Sequence, residues 1–314
     1  MDTKEILQAL ARIEGETKAI RALLDTPKTG PPIEKPGSDD PKKSPSPPFF
    51  ASSLPTKELG PIPDYRSDLW PQAVDPKLIV SNNNESAKQF RAVQIVSLIS
   101  LSLADKIVLD CGCGEAHNAS EIASTATKVV GYDPKQDPNW AGRSKDNLIL
   151  TSTKQTVAEH APFDLIVLYD VIDHVVGEDP QDLLKWLAGL LSNNGQIFVR
   201  AHPWTSRTGG HVYESANKAF LHLALTPDEL AKAGLAAREP NLKVVRPMAA
   251  YEYWFKEAGL EVIKKKVRAT PVEDFFSGTI VDRIAKINWD GKIEPDVVRR
   301  ILANHLIDYT LRKV

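Results

Sequence analysis

Val108-Leu109-Asp110-Cys111-Gly112-Cys113-Gly114-Glu115-Ala116-His117 is the stretch on which the fold turns. Residues 106–110 form a short apolar run of strand character. Glycines at 112 and 114 then permit a tight turn, and a helix is expected through residues 116–125. Strand, glycine turn and helix in this order open an α/β sheet whose ligands sit at the carboxyl ends of the strands.

Outward from that turn the alternation repeats. Residues 128–133, 147–151, 163–169 and 196–200 read as further strands. A helix over 180–191 is stopped by Asn193-Asn194-Gly195. The unbroken apolar runs suit a parallel sheet buried on both faces. A helix is expected upstream over about residues 85–103, and others over 213–225 and 249–258. Two last strands are expected near 260–267 and 279–287. This gives an α/β domain over residues 64–287. From 288 to 314, Val297, Val298, Ile301, Leu302, Leu306 and Ile307 predict a helical extension with one apolar face.

Carboxylates mark the strand ends: Asp110 ends the first, Asp133 the second and Asp170 follows the fourth. Asp110-x-Gly-x-Gly, Gly131-Tyr132-Asp133 and Phe163-Asp-Leu-Ile-Val-Leu-Tyr-Asp170-Val-Ile-Asp-His174 together resemble the successive motifs of class I S-adenosylmethionine-dependent methyltransferases, over about residues 85–290. The resemblance implies a Rossmann-like, seven-stranded methyltransferase sheet with helices on both faces, and S-adenosylmethionine as cofactor. It places Asp110, Cys111, Gly112 and Gly114 at the methionine end, Asp133 on the ribose and Asp170 beside the transferring methyl. The acidic residue often found near the adenine is absent, so Thr151 with Ser152 would serve there. Ala116 stands where a third glycine is often found. The rival ligand, a nicotinamide dinucleotide, needs a third small residue where this chain has His117.

An acceptor is expected at the same sheet edge, against Asp173 and His174 after the fourth strand and the segment 200–213 after the fifth. Methyl transfer is an in-line displacement helped by positioning and desolvation, and a base is needed only if the acceptor must lose a proton. His174, His202 and His211 are the candidate catalytic groups. Asp173, Arg200, Trp204, Arg207 and Tyr213 are the candidate acceptor-binding groups. The plainer alternative is a polar loop with a packed tryptophan. His222 reads as structural. The histidines lack a short spacing signature such as H-x-x-x-H, so no metal is expected.

Within the resemblance, absences narrow the acceptor. No Asn/Asp-Pro-Pro-Tyr/Phe follows the fourth strand, as in enzymes acting on exocyclic amines of DNA bases. Both cysteines lie in the glycine turn, which removes cytosine C5 chemistry, and Arg200 ends the fifth strand where ribose-methylating relatives carry a lysine-aspartate-lysine-glutamate set. Small-molecule, lipid-linked, sugar or protein acceptors remain, methylated on oxygen or nitrogen. A net charge of −2 and a pI near 6.4 give no indication of nucleic acid. Two cysteines one residue apart make neither a disulfide framework nor a zinc site. With no targeting segment or membrane span, a cytoplasmic setting is expected.

The N-terminus carries a different message. Ile6, Leu10, Ile13, Thr17, Ile20 and Leu24 alternate spacings of four and three, a coiled-coil seam over residues 1–25. Isoleucine at d and leucine at a favour a trimeric or tetrameric homo-oligomer. Residues 26–63 hold eleven of the chain's 23 prolines and read as a linker or arm that could join a larger assembly. The expected function is therefore methyl transfer. The alternative is an oligomeric structural or assembly protein, such as a viral particle (virion) component, using the fold as a scaffold.

Overall fold

The computed structural model describes residues 54–77, 84–99, 101–143, 145–175, 180–235 and 248–314. The expected coiled coil and most of the Pro-rich arm lie outside the described residues.

Strands β1 (Ile107–Cys111), β2 (Lys128–Tyr132), β3 (Leu148–Thr151), β4 (Phe163–Tyr169), β5 (Leu191–Ala201), β6 (Leu260–Ala269) and β7 (Asn304–Lys313) join one sheet in the order β3-β2-β1-β4-β5-β7-β6. β1 to β5 run parallel, and β7 is antiparallel to both of its neighbours. β1 has β2 on one side and β4 on the other, so the winding reverses there and a crevice opens at the carboxyl ends.

The helices are α1 (Glu85–Val96), α2 (His117–Ile122), α3 (Lys154–Glu159), α4 (Pro180–Leu190), α5 (Leu221–Ala224), α6 (Pro227–Lys232), α7 (Met248–Glu257), α8 (Thr279–Trp289) and α9 (Pro295–Leu302). Asn84 starts α1 by accepting from the N–H groups of Ser86 and Ala87, and Thr153 starts α3 by accepting from Thr156. Among the described residues, no helix is long and apolar enough to cross a membrane.

Successive strand residues point to opposite faces. Leu109, Val130, Ile166 and Val199 pack on Leu183, Leu184 and Leu187 of α4 and on Tyr251 and Phe255 of α7. Val108, Val129, Leu165 and Phe198 pack on Ala119 and Ile122 of α2 with Leu103 and Trp140. The sheet is thus covered on both sides. A third apolar cluster, with Trp70, Trp204, Phe220, Phe276, Ile284 and Val298, gathers the segment before α1, the loop after β5 and helices α8 and α9 into a cap. Trp70 anchors it, donating its indole N–H to the Ala219 carbonyl at 2.8 Å and meeting Phe275 and Phe276 edge-on.

Three expectations are corrected. Residues 279–287, expected as a strand, form α8, whose buried positions include Val281, Ile284, Ala285 and Asn288 at the helical period. The 288–314 extension is helical only through α9. Beyond it, Ile307, Tyr309 and Leu311 alternate onto one buried face, and this period of two makes β7 part of the sheet. Residues 213–225 hold only a 3-10 turn at Val212–Glu214 and the single turn α5.

The described end of the arm packs on the domain. Leu59 is buried. Arg283, on α8, donates to the carbonyls of Gly60 at 2.7 Å and Ala224 at 2.9 Å, and to both carboxylate oxygens of Glu229. Glu229 is itself fixed by the capping box it shares with Thr226 at the start of α6.

Candidate functional site

The turn leaves β1 with Gly112 at φ +79° and Gly114 at φ +49°. The N–H groups of Gly112 and Cys113 donate to the Tyr132 carbonyl at 2.7 and 3.0 Å, tying the turn to the end of β2. A Cβ on Gly112 would stand 2.5 Å from Cγ2 of Val171, whereas one on Gly114 would meet nothing within 4 Å. One glycine therefore serves packing, and the other leaves backbone open to a ligand. Ala116 adopts φ +63°, a left-handed conformation that costs a residue with a Cβ about 1–2 kcal/mol. The position where glycine was expected is thus the position where glycine would be unstrained.

The expected cofactor residues surround this turn. Asp110 is 1% exposed, its Oδ2 has no partner, and burial pushes its carboxyl up to about 7 against a hydrogen bond from the Ala119 backbone. Asp133 accepts from the N–H of Gly114 on Oδ2 and of Lys135 on Oδ1, both at 3.0 Å, which leaves each oxygen a further lone pair. Thr151, at the end of β3, accepts from the Asp133 N–H at 3.3 Å. Cys111 turns its side chain into the core beside Leu109 and Tyr132, leaving its backbone to face the turn. A buried, unpartnered carboxylate oxygen and open glycine backbone fit a ligand with a cationic end, as S-adenosylmethionine has.

The acceptor edge gathers groups far apart in sequence. Asp170 adopts φ +52°, and its N–H donates to the Arg200 carbonyl at 3.0 Å, joining the ends of β4 and β5. Its Oδ1 is unpartnered, and burial pushes the carboxyl up to about 6 against the attraction of His174 and Arg200. Asp173 is fully buried. One of its oxygens accepts from the His202 N–H at 3.2 Å, and Oδ1 has no partner. Burial, and then the charge of Asp170, push Asp173 up to about 8.

The imidazoles of His174 and His211 stack with centroids 4.4 Å apart. His202 lies edge-on to His211 at 6.3 Å and is held through Nδ1 by the Thr208 hydroxyl at 3.1 Å. Burial pulls His202 down to about 4 and His211 to about 3, with neighbouring histidines adding to each. Tyr213 lies 5.9 Å from His211, and burial pushes it up to about 12.

Three expected acceptor-binding residues do other work. Arg200 is buried and bound bidentately by Asp308 of β7, with Nη2 2.6 Å from Oδ2, and its guanidinium covers the Tyr169 ring. Arg207 binds the Gln72 carbonyl at 2.7 Å and Glu273 at 2.6 Å, holding the cap. Trp204 is buried against His222, which contacts the Trp204 carbonyl at 2.6 Å. His222 is structural, as its position predicts.

A family profile described as a methyltransferase domain matches residues 86–265, more than half of the 314. The chain belongs to the methyltransferase domain family. The ubiquinone biosynthesis O-methyltransferase of Pseudoalteromonas translucida is 25% identical over 168 residues, covering 51% of this chain and 65% of that relative. The protein of the same name from Sodalis glossinidius is 31% identical over 104 residues, 31% of this chain and 41% of that one. The chain thus spans less than two thirds of the length of these relatives. Among solved structures, an S-adenosylmethionine-dependent methyltransferase from Archaeoglobus fulgidus aligns at a TM-score of 0.46 and 13% identity, over 76% of this chain and all of that one.

The methyltransferase domain extends past the matched span, because β7 completes its sheet. Sequence reasoning missed His305 on that strand, whose ring lies 5.3 Å from His202. The period of two in Ile307, Tyr309 and Leu311 was the signal that could have placed it. Trp140 and Arg143 were missed too. Their side chains donate to the carbonyls of Gly114 and Glu115 at 2.7 and 2.6 Å and clamp the cofactor turn, and nothing in their spacing announces it.

Proposed function

We propose that this methyltransferase domain binds S-adenosylmethionine at the β1 turn and transfers its methyl to an oxygen acceptor held between the loops after β4 and β5. The observation that carries the reading is the buried, unpartnered carboxylate oxygen of Asp110 beside the Gly112–Gly114 turn, on the same sheet edge as the Asp170, Asp173, His174 and His211 group. When bound, the cofactor supplies an electrophilic methyl on a sulfonium. Asp133 is placed to accept from ribose hydroxyls, and Asp110 to face the cationic amino-acid end. Asp173, His174 and His211 are the groups able to act on an acceptor hydroxyl, with His174 the exposed member. The names of the curated relatives favour oxygen over nitrogen.

The test is transfer of an isotope-labelled methyl from S-adenosylmethionine to hydroxylated aromatic acceptors, followed by mass spectrometry. The expected result is a labelled methyl ether, with turnover of His211→Ala reduced about 10²- to 10⁴-fold, the scale of a positioned catalytic group. S-adenosylhomocysteine affinity should stay unchanged. Cofactor binding with no label transferred, to these acceptors or to cell extracts, would return the chain to the assembly reading.

A further inference from the structure

The histidines that show no metal spacing in sequence come together in space. Asp173, His174 and His211 each offer one ligand atom, and these atoms lie within 4.8 Å of one another. Two of the three groups are buried and carry unpartnered polar atoms. Asp173 is 0% exposed with Oδ1 unpartnered, and His211 is 2% exposed with neither ring nitrogen partnered. Buried polar atoms are ordinarily hydrogen-bonded, and leaving one bare is unfavourable. The His202 N–H fixes the other oxygen of Asp173, as an outer hydrogen bond fixes a metal-binding carboxylate.

Among the described residues, the one comparable group away from this edge, Glu85 with Glu115 and His117, differs in kind. Its carboxylates are already paired, Glu115 with Lys88 at 2.6 Å and Glu85 with Arg143 at 2.7 Å.

We propose that Asp173, His174 and His211 bind one divalent transition cation, of which Zn²⁺ is the reference ion, and leave a fourth position for an acceptor oxygen. Two imidazole nitrogens with one carboxylate suit Zn²⁺ and its first-row neighbours, whereas Mg²⁺ and Ca²⁺ prefer oxygen alone. Zn²⁺ bonds of about 2.0–2.1 Å set tetrahedral donors about 3.4 Å apart. The site therefore closes slightly on loading. This deepens the proposed function and rests on it for the acceptor. A hydroxyl bound to the cation loses its proton to solvent more readily, and its electron pair stays on oxygen.

The experiment is equilibrium dialysis of the full chain against buffered Zn²⁺, with elemental analysis of what is retained. S-adenosylhomocysteine titrations run in parallel. Wild type is expected to retain about one Zn²⁺ per chain. His174→Ala and His211→Ala are expected to retain under about one tenth of that, with cofactor affinity within about twofold, since losing one of three ligands removes most of the affinity. His174→Ala alters an exposed side chain, so its result stands even if His211→Ala fails to fold. Co²⁺ in place of Zn²⁺ should give tetrahedral visible absorption in wild type alone. Wild type retaining no metal, or His174→Ala retaining the full complement, overturns the proposal. Metal retention without cofactor binding overturns the methyl-transfer reading and leaves the metal site standing, while cofactor binding without metal does the reverse.

Discussion

Gly112 and Val171 are in contact across the crevice, and the missing Cβ of the glycine is what lets them meet. An added Cβ would lie 2.5 Å from Cγ2 of the valine. The turn after β1 and the loop after β4 therefore fix each other's position. Gly112→Ala carries two penalties, about 1–2 kcal/mol for a Cβ at φ +79° and about 1–3 kcal/mol of overpacking. It should weaken S-adenosylhomocysteine binding at least tenfold by calorimetry. Gly112→Ala/Val171→Ala should recover the packing part alone. Wild-type affinity in the single variant would show that the turn does not shape the site.

Asp110 gives the site a pH signature. In the free chain burial raises its carboxyl from 3.8 to about 7, so it is partly protonated near neutrality. A raised carboxyl costs the unliganded fold stability as pH rises from its ordinary range to about 7. A cationic ligand favours the carboxylate, so binding should release a proton and affinity should rise as pH passes upward through about 7. Calorimetry in buffers of different ionisation enthalpy measures that proton. Asp110→Asn should abolish it, and no proton release in wild type would place the cationic end elsewhere.

Arg283, which holds the Gly60 carbonyl of the arm, is itself paired with Glu229, and the two side chains are 3% and 9% exposed. Arg283→Met leaves Glu229 buried without its cation, which should cost about 3–5 kcal/mol in urea unfolding. Burial alone would raise Glu229, but hydrogen bonds from Arg283 and Thr226 more than offset it, and its carboxyl lies below the ordinary range. The pair's contribution is therefore full above the ordinary carboxylate range and fades as pH falls through the lowered value. Arg283→Met/Glu229→Gln should regain part of the loss. If the single variant unfolds at the wild-type midpoint, the pair is not structural.

The strands carrying the cofactor turn were legible because each is a short apolar run closed by a glycine or a carboxylate, as at Asp110 and Asp133. The cap was not. α8 is rich in β-branched residues, Ile280, Val281, Ile284 and Ile287, and that density masked the helical spacing of its buried face. Arg200 read as an acceptor ligand because its partner, Asp308, stands 108 residues away on a strand mistaken for a helix. For the same reason, the clustering of Asp173, His174 and His211 follows from the conformations of two loops, after β4 and after β5, that no spacing encodes.

The seam Ile6, Leu10, Ile13, Thr17, Ile20 and Leu24 remains a proposal about assembly. Deleting residues 1–25 should lower the mass found by light scattering to that of a smaller oligomer or a single chain, with the thermal transition of the sheet domain retained. A truncated chain that keeps the full-length oligomer mass would show that the seam is not the organiser.

The most direct test of the central claim is calorimetric titration of the full chain with S-adenosylhomocysteine, alongside NADH and the Asp133→Ala variant. Wild type should bind about one S-adenosylhomocysteine per chain and give no heat with NADH. Asp133→Ala should lose about 1.5–3 kcal/mol, roughly 10- to 150-fold, the worth of a hydrogen bond to a charged group. Absence of S-adenosylhomocysteine binding, or undiminished binding by Asp133→Ala, would contradict the account.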